Sequence, residues 1–378
     1  MKIFTIISIL LLSVTLSFSQ TEEIKNSKSE KYNDYVSKKK SDGISTGNIL
    51  IYENGEIVYQ NSNGIRSINP IDSLDLNSQF RLASVSKQFT AVAIMKLKQL
   101  DKLDYDQKVN TILIDFPHEN ITIKHLLNHT SGIEDYIKII NKHFTKKKSI
   151  KRYIIGNDEI LDIFYKSKPK LNFSPGKKFE YSNTGYVVLA SIVERISKQH
   201  FRDFLKDNIF NPLEMNNTTV YNYQEDIDLN MPNRVFGYSK KEENEYQLND
   251  YHIVNDVRGD GGIYSTLIDL YKWNMALINY KVLPKEYIDE AWTPALLNNG
   301  KIAGFSRKPE YSRYGYGWLI GDDKKPKNVF HSGGWVGFST YLFNEFETKS
   351  GFIILTNDSS RVILETINTI NTIRSGKS

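Results

Sequence analysis

The stretch from Phe80 to Leu100 reads FRLASVSKQFTAVAIMKLKQL. Phe89, Ala91, Val92, Ala93, Ile94, Met95 and Leu97 place apolar side chains nearly all round a helix. A helix apolar on every side must lie inside the protein, with the rest of the chain wrapped about it. Lys87 stands at its start, so that ammonium has to be paired or partly stripped of water. Ser84 lies three residues earlier, on the same helical face and one turn away. A hydroxyl becomes a useful nucleophile when a neighbour takes its proton, and a desolvated amine is one of the few side chains able to do so. Ser84 and Lys87 are therefore the candidate nucleophile and base of an acyl-transfer enzyme. Ser37/Lys40, Ser167/Lys170 and Ser174/Lys177 repeat the spacing, but in Lys-rich or Pro-containing, loop-like surroundings with no buried helix behind them.

The two ends of the chain read alike. Tyr32, Tyr35 and Val36 recur at helical spacing, and two β-rich runs, 47–52 and 56–59, flank Asn54-Gly55, a strong hairpin turn signal. Toward the other end 328–332, 338–343 and 352–356 read as strands, followed by an amphipathic helix over 362–373. Helices dominate between. The pattern predicts an α+β fold: an antiparallel sheet built from both chain ends and flanked by helices, with a mainly helical lobe inserted in the middle. The sheet lobe is expected at about 31–80 and 255–373 and the helical lobe at about 81–254, together one hydrolase domain over 31–373.

Residues 1–19 carry Met1-Lys2, an apolar run from Ile3 to Leu16 and the small residues of Ser17-Phe18-Ser19, the pattern of a signal peptide. With no Cys in the chain there is no lipid-bearing Cys at the cleavage point and no disulfide. The mature protein is expected to be periplasmic or secreted and a monomer, with a disordered start over 20–30 and no stable membrane span after cleavage. A formal charge of +5, or +4 once Lys2 is removed, is too small to point to nucleic acid.

The middle of the chain holds several features that invite over-reading. His125 and His129 are four apart on a short predicted helix, yet no carboxylate completes a metal set, so they are expected at a structural helix end and no metal is expected. Lys146, Lys147, Lys148, Lys151 and Arg152 form a basic cluster read as a solvated surface. Residues 221–251 are polar and read as irregular. Arg258-Gly259-Asp260 is treated as coincidence, and the glycines of 259–262 match no phosphate-binding pattern. Thr266 with Asp269 is a capping pair for the helix that follows.

Acyl transfer also needs a proton carrier and N–H groups aimed at the developing oxyanion. Tyr181, a phenol that would sit near a cationic lysine, is the second candidate proton carrier. Asn183, two residues on, can bond both Lys87 and a substrate amide. His331-Ser332-Gly333-Gly334 lies on a predicted strand whose edge can offer a backbone N–H, its glycines letting substrate lie close. The other half of that oxyanion hole would be the N–H of Ser84.

In order, Ser84-x-x-Lys87, Tyr181-x-Asn183 and His331-x-Gly333 resemble the three motifs of the serine β-lactamase and penicillin-binding protein superfamily. The Tyr-x-Asn form is like class C β-lactamases and the D-alanyl-D-alanine carboxypeptidase and esterase relatives. The segments 80–87, 123–132, 173–176 and 259–266 also look like that family's linking text, so the resemblance covers about residues 30 to 370. It implies the β-lactamase/DD-peptidase-like fold, acylation of Ser84, proton work shared by Lys87 and Tyr181, orientation of Lys87 and substrate by Asn183, and an oxyanion held by the N–H groups of Ser84 and Gly334. It implies no cofactor, and a small-molecule or peptide substrate such as a cell-wall peptide or an ester. A true β-lactamase and a penicillin-binding sensor that acylates without turnover are the alternatives. The third motif of class C enzymes usually carries Lys where this chain has His331, and a neutral imidazole is a weaker anchor for a β-lactam carboxylate.

Overall fold

Two runs from opposite ends of the chain, GNILIYE and SGFIILT, form the centre of the sheet. They are strand β1 (Gly47–Glu53) and strand β14 (Ser350–Thr356), antiparallel neighbours with Asn48 opposite Leu355 and Tyr52 opposite Gly351. β2 (Glu56–Asn63) returns from β1 through the expected turn at Asn54-Gly55, where both φ angles are positive, as that tight turn demands. The computed structural model describes residues 27–42, 45–144, 154–222, 231–242, 245–305, 313–321, 328–358 and 362–376. The expected signal peptide and the basic cluster at 146–152 lie outside these.

In chain order the remaining strands are β3 (Ile65–Ile68), β4 (Ile71–Ser73), β5 (Phe80–Arg81), β6 (Thr219–Val220), β7 (Tyr238–Glu242), β8 (Glu245–Leu248), β9 (Ile263–Ser265), β10 (Arg313–Tyr314), β11 (Leu319–Ile320), β12 (Asn328–Trp335) and β13 (Phe338–Glu345). The helices are α1 (27–41), α2 (Lys87–Gln99), α3 (Ile123–Leu127), α4 (Tyr136–Phe144), α5 (Asn157–Ser167), α6 (Asn183–Ser197), α7 (Phe201–Leu205), α8 (Leu267–Ile278), α9 (Lys285–Ala291) and α10 (Val362–Arg374). The main sheet has seven strands in the order β10-β11-β12-β13-β14-β1-β2, every pair antiparallel.

Period-two alternation assigns each strand residue to one of two cores. Ile49, Ile51, Phe352 and Ile354 face an outer layer with Tyr32 and Val36 of α1 and Ile370 and Ile373 of α10. Leu50, Tyr52, Ile353 and Leu355 face the larger inner core with α2, α6 and α8. Helices on both faces explain why these central strands are apolar throughout. α2 is the axis of the inner core, with Lys87 through Met95 and Leu97 all buried, as a helix apolar all round requires. Phe89 stacks on Trp273 of α8 at 4.2 Å between ring centroids.

Three expectations change. α1 begins at residue 27, inside the stretch expected to be disordered, because Tyr32 and Val36 pack on the sheet and order the turn before them. The polar 221–251 region contains the β7-β8 hairpin, paired from Tyr238 to Leu248. The two-residue strands β10 and β11 escape sequence reading because so short a run has no period to detect.

Candidate active site

Lys87 opens α2 and is fully buried, yet its ammonium has three acceptors: Ser84 Oγ at 3.1 Å, Asn183 Oδ1 at 2.8 Å and the Asp260 carbonyl at 2.8 Å. A lysine carries three N–H donors, so the group is saturated where an unpaired buried charge would be costly. Ser84 lies in the 3-10 turn Ala83–Ser86 that precedes α2, not in the helix itself. The turn is entered through Ala83 at φ +50°, a left-handed conformation uncommon for a residue with a Cβ. That distortion sits next to the candidate nucleophile, and it is held by neighbours: the Leu82 carbonyl accepts from Thr340 Oγ1 at 2.7 Å and the Leu82 N–H donates to the Ile263 carbonyl at 2.8 Å.

Asn183 is the first residue of α6. Its backbone N–H and its Nδ2 both donate to Asp135 Oδ2, at 2.9 and 3.0 Å, which turns the amide so that Oδ1 faces Lys87. One Nδ2 hydrogen remains for another acceptor. Asp260, in the Gly-rich turn before β9, is buried and accepts from Tyr136 Oη at 3.0 Å. Burial lifts its carboxyl to about 6 despite the opposing charge of Lys87. With Arg81, which is buried and donates to the Asn255 carbonyl at 3.1 Å, the cleft balances two cations, Lys87 and Arg81, against two carboxylates, Asp135 and Asp260. Asp135 and Asp260 were not among the residues singled out for chemistry, because a lone Asp in a linking segment carries no local signal.

Tyr181 lies in the extended segment before α6. Its ring centroid is 5.0 Å from Lys87 Nζ, and its hydroxyl is buried without a hydrogen-bond partner. Across the cleft runs β12. β11 pairs only with Val329 and Phe330, so residues 331–335 present an edge unpaired by β11 beside the 3-10 turn. Gly333 is required there, since a Cβ would fall 2.2 Å from both the Leu82 carbonyl and Thr340 Oγ1. Gly334 is open, with no atom within 4 Å of such a Cβ, and it lines a cavity of about 120 Å³ with Ser84, Asn183, Asp260, Gly261 and Trp335.

His331 is only 3% exposed. Its Nδ1 lies 2.6 Å from the Ser332 carbonyl, which can only accept, so Nδ1 carries the proton and Nε2 accepts from Tyr314 Oη at 3.2 Å. Burial, then the charge of Lys87, push its pKa down to about 3, so the ring is neutral. Both nitrogens are thus taken by the protein, and the ring as placed here has no N–H left for substrate, contrary to a direct binding role for the imidazole.

His125 and His129 do not converge. His125 Nδ1 accepts from the Thr122 N–H at 3.2 Å and closes the cap of α3, whereas His129 turns into the tyrosine cluster. Among the described residues no group of three or more His, Cys, Asp or Glu is placed to hold a metal ion.

A saturated Ser-Lys pair at the root of a buried helix, facing a glycine-lined strand edge, fits the comparisons with known proteins. The Beta-lactamase family model matches residues 33–368, and the chain belongs to that family, a serine hydrolase family that includes penicillin-binding proteins. It is 36% identical over 323 residues to penicillin-binding protein 4* of Bacillus subtilis, covering 82% of this chain and 68% of the relative. It is 26% identical over 350 residues to Protein flp of Staphylococcus aureus, covering 87% of this chain and 63% of that relative. Among solved structures, a penicillin binding protein from Bacillus halodurans superposes with a TM-score of 0.74 at 25% identity, covering 86% of this chain and 96% of that one. A D-amino acid amidase from Ochrobactrum anthropi shares the fold, with a TM-score of 0.74 at 21% identity over 94% of this chain and 100% of that one.

Proposed function

We propose that the protein is an exported serine hydrolase that cleaves an ester or amide, a D-amino-acid peptide bond being the amide tested first, through a covalent acyl-enzyme on Ser84. The single observation that carries this reading is the buried Lys87 ammonium held 3.1 Å from Ser84 Oγ and aligned by Asn183 and Asp260. In acylation Ser84 Oγ attacks the carbonyl carbon and its proton passes to the Lys87/Tyr181 pair in the form that holds one proton fewer, an amine beside a phenol or an ammonium beside a phenolate. The N–H groups of Ser84 and Gly334 receive the oxyanion, and the pair returns a proton to the leaving oxygen or nitrogen as its bond to carbon breaks. Water then attacks the ester on Ser84 by the same relay and releases the acid.

Export is part of the reading, on the strength of the leader pattern in residues 1–19. Among the described residues no helix is long and apolar enough to cross a membrane. The likeness to penicillin-binding protein 4* of Bacillus subtilis supports penicillin as one acylating probe. Efficient β-lactam hydrolysis is disfavoured, because the neutral, internally bonded His331 offers a carboxylate no charge.

The test is labelling of the purified protein with a fluorophosphonate and with a fluorescent penicillin. Wild type should label and Ser84→Ala should not; label retained in the variant would remove Ser84 as nucleophile. Turnover of p-nitrophenyl acetate, nitrocefin and a D-Ala-D-Ala peptide then separates esterase, lactamase and peptidase, and label without turnover identifies a penicillin-binding sensor.

A further inference from the structure

We infer that His129 is a positioning residue for Tyr181. It grips the segment on both sides of that tyrosine: the His129 carbonyl accepts from the Glu180 N–H at 2.9 Å, and its Nδ1 accepts from the Ser182 N–H at 3.2 Å. Between those two bonds the imidazole lies against the Tyr181 ring itself, 4.2 Å between centroids and tilted by 36°. The other rings about Tyr181 are farther, Phe305 at 5.9 Å, Tyr314 at 6.2 Å and His331 at 6.4 Å. The phenol makes no hydrogen bond of its own, so its aim rests on its backbone and on ring contact, and His129 supplies both.

His129 is suited to be the fixed part of this pair. Its backbone closes α3, donating to the Leu126 carbonyl at 3.3 Å in a left-handed conformation, φ +56°. Its ring is fully enclosed, also against Tyr186 and Tyr314 at 5.1 and 4.7 Å. Because Nδ1 accepts, the proton sits on Nε2, which is buried with no hydrogen-bond partner. Burial, with the charge of Lys87 as the next cause, keeps the ring neutral, and only a neutral imidazole has the lone pair that Ser182 needs. A neutral ring also adds no further cation to the cleft that holds Lys87 and Arg81.

This role deepens the acyl-transfer reading and rests on it for its kinetic consequence. Two variants separate the two contributions. His129→Asn keeps an acceptor in the Nδ1 position and tolerates the left-handed backbone but removes the ring face; His129→Phe keeps a ring and removes the acceptor. For p-nitrophenyl acetate each should lose roughly 10- to 100-fold in kcat, the scale of an ångström of misplacement, with KM within about threefold. His129→Asn should melt within a few degrees of wild type. The readout independent of activity is 19F NMR with 3-fluorotyrosine installed at position 181. One narrow line is expected in wild type, and a broadened or split line in both variants. An unchanged line, kcat within about twofold of wild type in both variants, or a loss that appears in KM instead would overturn the inference. If wild type fails to acylate, the hydrolase reading falls and the fluorine line alone decides the placement of Tyr181.

Discussion

The two walls of the cleft are built from different materials. The helical wall of α2 and α6 works with charge, Lys87 being saturated by three acceptors and Asn183 fixed by a carboxylate. The strand wall of β12 works with shape and backbone, through one glycine that is crowded, one that is open, and a neutral histidine. The difference shows where each task is expected to lie. On the proposed reading, activation of the nucleophile falls to the helical wall. The strand wall can bind an oxyanion and let a flat substrate lie close, but it has no formal charge at His331 with which to select a carboxylate.

Breaking the helical wall should cost most. Lys87→Met removes the amine and leaves the Asn183 and Asp260 acceptors short of a donor, so fluorophosphonate labelling of Ser84 should slow by ~10²- to 10⁴-fold. A rate within tenfold of wild type would move the proton work to Tyr181 alone. Asp135→Asn should come next, with an acylation rate lower by about tenfold and little change in melting. One of the two oxygens that accept from Asn183 and from the Ile137 N–H becomes an NH2 donor, and the charge-assisted hold on Asn183 is gone.

On the strand wall the contrast is between stability and chemistry. Gly333→Ala has to displace the Leu82 carbonyl and Thr340, so thermal unfolding should show a loss of about 1–3 kcal/mol. Gly334→Ala meets nothing within 4 Å, so it should melt like wild type and show any effect only in KM. Equal melting of the two would mean that β12 moves away from Leu82 freely.

Three buried groups also tie stability to pH. The pKa values of His129 and His331 are lowered in the folded protein, so an unfolded chain binds protons there more readily. Their contribution is therefore present above about 6.5 and is lost as pH falls, for His331 down to about 3. Asp260 works in the opposite sense. Its carboxyl is raised to about 6, so its contribution is present below its unfolded value and lost as pH rises through 6. Denaturant titrations at pH 7, 5.5 and 4 should thus show stability falling with acid, and less steeply than in an Asp260→Asn variant.

Much of this arrangement could be read from residue types alone. The apolar circumference of α2 placed Lys87 in the interior, and Asn54-Gly55 with the matching apolar runs at both ends placed β1 beside the closing strands. Tyr181, Asn183 and Gly333 stand out in the sequence through the order of the three motifs, which resembles that of the family, since each residue type alone recurs by chance. Asp135 and Asp260 were not, since what distinguishes them is the atom they face after folding. The same holds for His331. Its residue type suggests a ligand for substrate, and only burial between Tyr314 and the Ser332 carbonyl shows both nitrogens already engaged. The left-handed Ala83 had no sequence cue at all, because strain of this kind is imposed by Leu82 and its partners on β13 and β9.

The pairing of Asn48 with Leu355 has a consequence in time. Ribosomes emit a chain from its N-terminus, so the residues of β1, β2 and α2 are made long before those of β12 to β14. Until β12 to β14 arrive, β1 keeps an edge that could pair with a stranger, and Ser84 has no opposite wall. Contacts so distant in sequence form slowly. Ser84 therefore meets the opposite wall of its cleft only when almost the last strand is laid down.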